Sequence, residues 1–167
     1  MPELWELYDG DKRPTGKTML RGQSVPEGYW HIVVGIWTIT ADGRLLLTCR
    51  HPDKPWGLQW ENTGGSVLAG EDSLHGALRE LREETGLTAE SWTHLMDFLS
   101  TPGFSDERIS LYLARELSVG ESHPDDDEFL NVVRVPLAQL VADIMAGEVN
   151  DAKTVCAVLM ADRIING

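Results

Sequence analysis

Residues 65–87 combine acidic side chains and glycines at a spacing that constrains both the local fold and its chemistry. The run reads Gly-Ser-Val-Leu-Ala-Gly-Glu-Asp-Ser-Leu-His-Gly-Ala-Leu-Arg-Glu-Leu-Arg-Glu-Glu-Thr-Gly-Leu. Asp72 or Ser73 is expected to cap a helix that extends to about Thr85. Gly86 is expected to end this helix in a left-handed turn. The run therefore predicts one helix with defined ends.

Three carboxylates lie on this helix beside an apolar stripe. Glu80, Glu83 and Glu84 follow the spacing i, i+3, i+4 and share one face, where they repel one another unless a cation neutralises them. Ligands that are all oxygen suit Mg²⁺ or Mn²⁺ rather than zinc. The pattern predicts a divalent-metal site, and an ordinary solvated acidic face is the alternative. The stripe is predicted from the spacing i, i+3, i+4, i+7 of Leu74, Ala77, Leu78 and Leu81.

Flanking residues favour the metal site over the solvated face. Glu71 is a further candidate ligand in the turn before the helix. Arg79 lies four residues before Glu83 and can orient a carboxylate through a hydrogen bond. The pair Gly64 and Gly65 allows the backbone to approach closely, so the Gly64 carbonyl is a candidate ligand as well.

The whole run resembles the Nudix box, a pattern too long to be matched readily by accident. The matching identities are Gly65, Glu71, Arg79, Glu80, Glu83, Glu84 and Gly86, with apolar residues at Leu81 and Leu87. The resemblance implies an α/β fold, the Nudix α/β/α sandwich with a mixed β-sheet. It also implies a hydrolase of phosphoric anhydride bonds that uses Mg²⁺, with Mn²⁺ able to substitute. The expected substrate is a nucleoside diphosphate linked to another moiety.

Composition narrows the architecture and the partners. A chain of 167 residues with 42% hydrophobic content is expected to form a single domain over residues 1–167, with residues 1–28 as an N-terminal extension packed on it. The net charge of −13 argues against nucleic-acid polymers and anionic membranes. Two cysteines, no membrane-length apolar run and no signal-peptide pattern predict a cytoplasmic protein.

Strand and helix patterns alternate along the rest of the chain, as in an α/β sandwich. The box helix is expected on one side of the sheet and two C-terminal helices on the other. The runs 31–40 and 44–50 are expected to form a hairpin around the turn at Asp42-Gly43. Further strands are predicted at 58–63, 92–99, 108–117 and 129–135, and helices at 136–145 and 152–165.

One loop bears on the substrate. Pro102 comes fifteen residues after Leu87, and Glu107 ends the same loop. This segment resembles that of ADP-ribose and ADP-sugar pyrophosphatases, although a proline and a glycine between strands also make an ordinary turn. Residues 147–154 resemble the start of the last helix in that branch. The candidate substrate-binding residues are Arg50, Trp60, Pro102 and Glu107.

The N-terminal half resembles Nudix proteins close to isopentenyl-diphosphate isomerase. That isomerase needs a cysteine just before the box glycine and a histidine just after it, where this chain has Gly64 and Ser66. Isomerase activity is therefore not expected. His31 matches a ligand position of that branch without its partners, and we interpret it as a strand residue with a satisfied side chain.

The expected mechanism is in-line attack of water on one phosphorus, with the other phosphate leaving. The candidate catalytic residues are Glu80, Glu84, Arg79 and Glu128. The resemblance favours Glu128 as the general base, with Glu107 and Glu80 as rivals. Trp30, Trp56 or Trp60 are candidates to stack a base, and core packing is the alternative for each.

The substrate is left open by the sequence. ADP-ribose or another nucleoside diphosphate sugar is favoured. A nucleoside di- or triphosphate, CDP-like or oxidised, is the alternative within the same chemistry. A nucleotide-binding regulatory domain without turnover is the alternative outside it. The partner is expected to be a small molecule, and the resemblance makes a homodimer possible.

Overall fold

The computed structural model describes residues 3–101, 103, 105, 107–120 and 132–167. These residues form nine strands and three helices. The strands are β1 (Leu4–Tyr8), β2 (Pro14–Leu20), β3 (His31–Thr38), β4 (Arg44–Cys49), β5 (Trp60–Glu61), β6 (Gly64–Ser66), β7 (Leu87–Leu99), β8 (Glu107–Val119) and β9 (Val132–Pro136). The helices are α1 (Ser73–Thr85), α2 (Leu137–Ala146) and α3 (Ala152–Asn166).

The central sheet has four strands in the order β6-β3-β8-β7. Strands β3 and β8 run parallel, whereas β6 and β7 pair antiparallel with their neighbours, so the sheet is mixed as predicted. A second sheet has the order β5-β4-β9, and β1 with β2 forms a separate hairpin. The hairpin of the N-terminal extension joins the body through single bridges from Tyr8 to Trp30 and from Trp5 to Leu68.

Alternation along β3 sends side chains to both faces of the central sheet, since successive residues of a strand point to opposite sides. Ile32, Val34 and Ile36 pack in one core cluster with Ala77 and Leu81 of α1. The other face of the sheet has a cluster of its own with α2 and α3, which includes Trp37, Leu111, Leu113, Leu140, Ala157 and Val158. The predicted sandwich, with the box helix and the C-terminal helices on opposite sides, is confirmed.

Helix α1 has the ends predicted for it. The Asp72 side chain accepts a hydrogen bond from the His75 amide at 2.8 Å, and Gly86 is left-handed with φ 68°. The predicted stripe was half wrong, because Leu74 and Leu78 are exposed while Ala77 and Leu81 are fully buried. The helix presents Gly76, Ala77, Glu80 and Leu81 to the sheet instead.

The hairpin predicted for β3 and β4 is confirmed only at its turn. The Thr40 amide donates to the Arg44 carbonyl at 2.9 Å and one antiparallel bridge joins Ile39 to Leu45, but the pairing goes no further. Strand β3 already pairs with β6 on one edge and with β8 on the other. Strand β4 therefore pairs with β5 and β9 in the second sheet.

The remaining elements agree with the sequence pattern within a few residues. The strands predicted at 92–99 and 108–117 are longer and become Leu87–Leu99 and Glu107–Val119. Residues 129–131 of the strand predicted at 129–135 lie outside the described residues, and the rest belongs to Val132–Pro136. No helix of the described chain is both long enough and apolar enough to cross a membrane.

Candidate active site

The Arg79 guanidinium is the centre of the candidate site. Its Nε donates to Glu71 Oε1 at 2.9 Å, and its Nη1 donates to Glu80 Oε1 at 2.8 Å and Glu83 Oε2 at 2.9 Å. Its Nη2 donates to the Ser66 carbonyl at 2.7 Å and to Glu71 Oε2 at 3.2 Å. One planar cation therefore fixes three box carboxylates relative to strand β6, as the spacing of Arg79 and Glu83 predicted for one of them.

These contacts keep Arg79 charged although it is mostly buried. Burial by itself lowers the pKa of Arg79, but the hydrogen bond to Glu71 and the charges of Glu80 and Glu83 outweigh it and raise that pKa. A fixed positive charge among carboxylates reduces their mutual repulsion. The sequence therefore tolerates several acidic residues on one partly buried face.

Glycines at 64 and 65 let strand β6 lie against both α1 and β3. A β-carbon on Gly65 would lie 2.3 Å from Glu80 Oε1, and one on Gly64 would lie 2.3 Å from the Val34 carbonyl oxygen. Both distances are far below van der Waals contact. Neither position has space for a side chain while Glu80 keeps its place, which supports the close approach expected of this pair.

Glu71 is held by the loop before α1 as well as by Arg79. Its Oε2 accepts from the Leu68 amide at 3.0 Å, and its backbone carbonyl accepts from the Tyr8 hydroxyl at 3.3 Å. Burial, with the neighbouring carboxylates Glu6, Asp72 and Glu71, raises the pKa of Tyr8 to about 12. The phenol therefore stays protonated and remains a donor.

The acidic face of α1 forms one wall of a cleft of about 350 Å³. Glu80, Glu83 and Glu84 line it together with Gly64, and the Gly64 amide lies 3.4 Å from Glu84 Oε2. Basic side chains besides Arg79 line the same cleft, and of these the sequence analysis identified only Arg50. They are Arg21, Arg50, His51, Lys54 and Lys153.

The basic residues come from three separate parts of the chain. Arg50 donates to Glu61 Oε1 at 3.1 Å, and Lys153 lies 2.7 Å from Asp151 Oδ1 and 3.5 Å from Glu61 Oε2. Burial lowers the pKa of Lys153, but Asp151, Glu61 and Glu107 raise it overall, so Lys153 stays charged. Four of the 14 Lys and Arg residues of the chain, besides Arg79, thus line one cleft together with several glutamates.

A buried polar contact places Lys153 at the cleft. The Thr154 hydroxyl, which is fully buried, accepts from the Asn62 amide at 2.8 Å and lies 2.8 Å from Asp151 Oδ2. This contact ties the first turn of α3 to the segment between β5 and β6. Lys153 is thereby held opposite the acidic helix.

Most of the predicted site residues meet in this cleft. Arg79, Glu80, Glu83, Glu84, Gly64, Arg50 and Glu107 line it, and Glu71 contacts it through Arg79. Trp60 does not line the cleft, because its half-buried ring packs on the core cluster beneath α2 and α3. Pro102 and Glu128 lie outside the described residues, so their roles stay predictions.

His31 differs from its interpretation as a satisfied strand residue. It is 5% exposed and stacks on Trp5 with ring centroids 4.0 Å apart, but neither ring nitrogen makes a hydrogen bond of normal geometry within the described residues. Burial lowers the pKa of His31 to about 4, although the Glu6 backbone opposes this shift. The interpretation was wrong on this point, since stacking rather than hydrogen bonding holds the ring.

The carboxylates fit a hard divalent cation by ligand type, because every candidate donor is an oxygen. In the described part of the chain, however, no three His, Cys, Asp or Glu side chains are gathered in a geometry that holds a metal ion. Glu71, Glu80 and Glu83 instead direct oxygens at Arg79. Metal binding at this face would use carboxylate oxygens other than those that accept from Arg79.

Known proteins resemble this chain over most of its length. The NUDIX domain model matches residues 29–157. An ADP-ribose pyrophosphatase of Bacillus subtilis (strain 168) is 36% identical over 156 residues, which cover 92% of this chain and 82% of the relative. An ADP-ribose pyrophosphatase of Mycobacterium tuberculosis is 35% identical over 112 residues, covering 65% of this chain and 54% of the relative. The chain thus spans about half the length of the latter.

A solved structure shares the fold. The crystal structure of an ADP compounds hydrolase superposes with a TM-score of 0.73 at 24% identity, covering 90% of this chain and 78% of the other. The family match and the relative from Bacillus subtilis show that this chain belongs to the Nudix family. It is accordingly a Nudix-type hydrolase.

Proposed function

We propose that this chain is a magnesium-dependent pyrophosphohydrolase that cleaves ADP-ribose to AMP and ribose 5-phosphate. The observation that carries the proposal is the cleft itself, where the acidic face of α1 meets a set of Arg and Lys side chains. Acidic groups suit a divalent cation and basic groups suit phosphate oxygens, so the two together suit a metal-bound diphosphate. Two relatives named ADP-ribose pyrophosphatase support the choice of substrate.

Glu80, Glu83 and Glu84 would hold the cation, with the Gly64 carbonyl and Glu71 as further donors. When bound, magnesium supplies positive charge that stabilises the diphosphate and makes water easier to deprotonate. Arg79 positions Glu71, Glu80 and Glu83 and so sets the direction of their oxygens. Its role is positioning, since its donors are directed at protein oxygens.

The basic residues would bind the diphosphate and orient it for attack. Lys153 and Arg21 line the cleft with charged side chains that suit phosphate oxygens. Fixing the phosphorus for in-line attack removes much of the entropic cost of the reaction. The water oxygen then bonds to one phosphorus while the bond between that phosphorus and the bridging oxygen breaks. The second phosphate departs with the bridging oxygen.

Glu107 is one candidate, with Glu80, to accept the proton of the attacking water. It lines the cleft at the start of β8 and contributes to the electrostatic field at Lys153. A carboxylate within reach of the water can act as general base. Glu128, the base that the sequence resemblance favours, lies outside the described residues and stays a prediction.

The test is turnover of a substrate panel with Mg²⁺ and with EDTA. We expect hydrolysis of ADP-ribose in preference to other nucleoside diphosphate sugars, CDP, nucleoside triphosphates and isopentenyl diphosphate. EDTA should abolish it. Glu84→Gln should lower kcat by more than the roughly 10- to 100-fold typical of lost supporting contacts around a metal. The exposed Glu90→Gln is the matched control and should leave turnover unchanged.

Preference for CDP or a nucleoside triphosphate would contradict the proposed substrate while keeping the metal chemistry. Full turnover in EDTA would contradict the metal requirement. Metal binding without turnover of any compound in the panel would favour a nucleotide-binding domain that is not an enzyme.

A further inference from the structure

Trp56 is an aromatic side chain placed where it contributes nothing to the core. Its side chain is 87% exposed, and no aromatic ring of the described residues stacks on it. Its backbone has φ 58°, in the left-handed region that bulky residues rarely adopt. Core packing does not account for so large an exposed aromatic side chain, which suggests a binding role.

The loop that carries Trp56 is held by specific contacts. Arg50 Nε donates to the Pro55 carbonyl at 2.7 Å, and the Leu58 amide donates to the Arg50 carbonyl at 3.0 Å. A β-carbon on Gly57 would lie 2.5 Å from the Pro52 carbonyl oxygen, so the loop closes tightly on itself. Arg50 therefore connects the phosphate cleft directly to the peptide that precedes Trp56.

Trp56 lines a second cavity, of about 530 Å³, that adjoins the cleft. Arg50, Glu61 and Lys153 line both spaces and form the boundary between them. Gln59 and Asn150, two residues with amide side chains, also line the cavity. A flat indole face with amide donors and acceptors nearby is what a nucleobase requires.

We propose that this second cavity binds the base of the nucleotide substrate, with the base stacked on Trp56 and its edge facing Gln59 and Asn150. The orientation rests on the proposed function, which puts the diphosphate in the adjoining cleft beside Arg50 and Lys153. One ribose separates the base of a nucleotide from its phosphates, so two adjoining spaces of this kind accept the AMP half of the substrate. The second ribose then lies toward the far end of the cleft.

Binding of AMP and of ribose 5-phosphate, measured by calorimetry with Mg²⁺, tests the proposal. Trp56→Ala should weaken AMP binding about tenfold, in the range known for base stacking on aromatic side chains. Trp56→Phe should restore most of the affinity, because it keeps a ring. Ribose 5-phosphate has no base, and its affinity should not change in either variant.

Leu58→Ala is the matched control. Leu58 lies in the same loop, is 65% exposed and also has a positive φ, but it does not line the cavity. AMP affinity should therefore be unchanged in Leu58→Ala. AMP affinity within twofold of wild type in Trp56→Ala would overturn the proposal. Absence of AMP binding by the wild-type protein, or an equal loss for ribose 5-phosphate, would also overturn it.

Failure of this proposal can be told apart from failure of the proposed function. AMP binding that depends on Trp56 in a protein that does not hydrolyse ADP-ribose would keep the base site and reject the substrate. Hydrolysis of ADP-ribose with a KM that is unchanged in Trp56→Ala would keep the substrate and reject the base site.

Discussion

The Glu80 carboxylate occupies the space that a side chain on Gly65 would need. A β-carbon at position 65 would lie 2.3 Å from Glu80 Oε1 and 2.6 Å from Glu80 Oε2. Glu80 is only 9% exposed, so its carboxylate has little room to withdraw. Glu80, a candidate metal ligand on α1, can therefore keep its position only because residue 65 of β6 has no side chain.

Gly65→Ala should displace the Glu80 carboxylate and lower kcat/KM by about a hundredfold, since a shift of about 1 Å at a reacting centre costs that much. Steady-state hydrolysis of ADP-ribose measures the loss. Gly10→Ala is the control, because a β-carbon at Gly10 would lie at ordinary van der Waals distance, 3.4 Å, from the Trp30 ring. Equal activity in the two variants would show that Glu80 tolerates displacement.

Arg79→Lys should keep the positive charge but lose the planar set of N–H donors that binds Glu71, Glu80 and Glu83 together. We expect a 10- to 100-fold rise in the Mg²⁺ concentration needed for half-maximal activity, roughly the effect of removing a contact that orients metal ligands. A magnesium titration of activity measures it. Arg82→Lys, on the exposed side of the same helix, should behave as wild type. An unchanged magnesium requirement in Arg79→Lys would show that charge alone suffices.

His31 should make the fold less stable in mild acid. Its pKa is about 4 in the folded protein, against an ordinary value of 6.5. The unfolded chain therefore binds the proton first as pH falls from 6.5 toward 4, and stability present above pH 6.5 is lost across that window. The loss at pH 5 is about 2 kcal/mol relative to pH 7.5.

Urea unfolding at pH 5 and pH 7.5 checks the contribution of His31. In His31→Phe, which preserves an aromatic ring against Trp5, the difference in unfolding free energy between the two pH values should be smaller by about 2 kcal/mol. The same substitution at His75, whose side chain is 69% exposed, should leave most of the difference in place. A pH dependence identical to wild type in His31→Phe would refute the assignment.

Thr154→Val should destabilise the protein although its shape is conserved. The substitution removes the hydroxyl that accepts from the Asn62 amide, and an unsatisfied buried donor costs about 1–3 kcal/mol. Denaturant unfolding measures the change, with the exposed Thr88→Val as control. Because Lys153 is held by the same turn, KM for ADP-ribose should rise as well. No change in stability would mean that Asn62 finds another acceptor.

Local sequence determined where the acidic helix begins and ends and which of its carboxylates share a face. The Asp72 cap, the Gly86 terminus and the i, i+3, i+4 spacing of the glutamates each involve residues no more than about four positions apart. The contact of Arg79 with Glu83 is local in the same sense. These features were therefore predictable, and so was the alternation of strands and helices that defines the α/β sandwich.

Contacts between distant segments were decided only by the tertiary structure. Strand β4 does not pair along β3 because β6 and β8 occupy both edges of β3. The local sequence of β3 and β4 does not show which strands will pair. The face of α1 that is buried depended on the fit of Glu80 against Gly65 rather than on the leucines at 74 and 78. The basic side of the cleft joins Arg21 and Lys153, which are far apart in sequence and were not identified from it. An isolated Lys or Arg has no periodicity, so only folding reveals that these charges line one cleft.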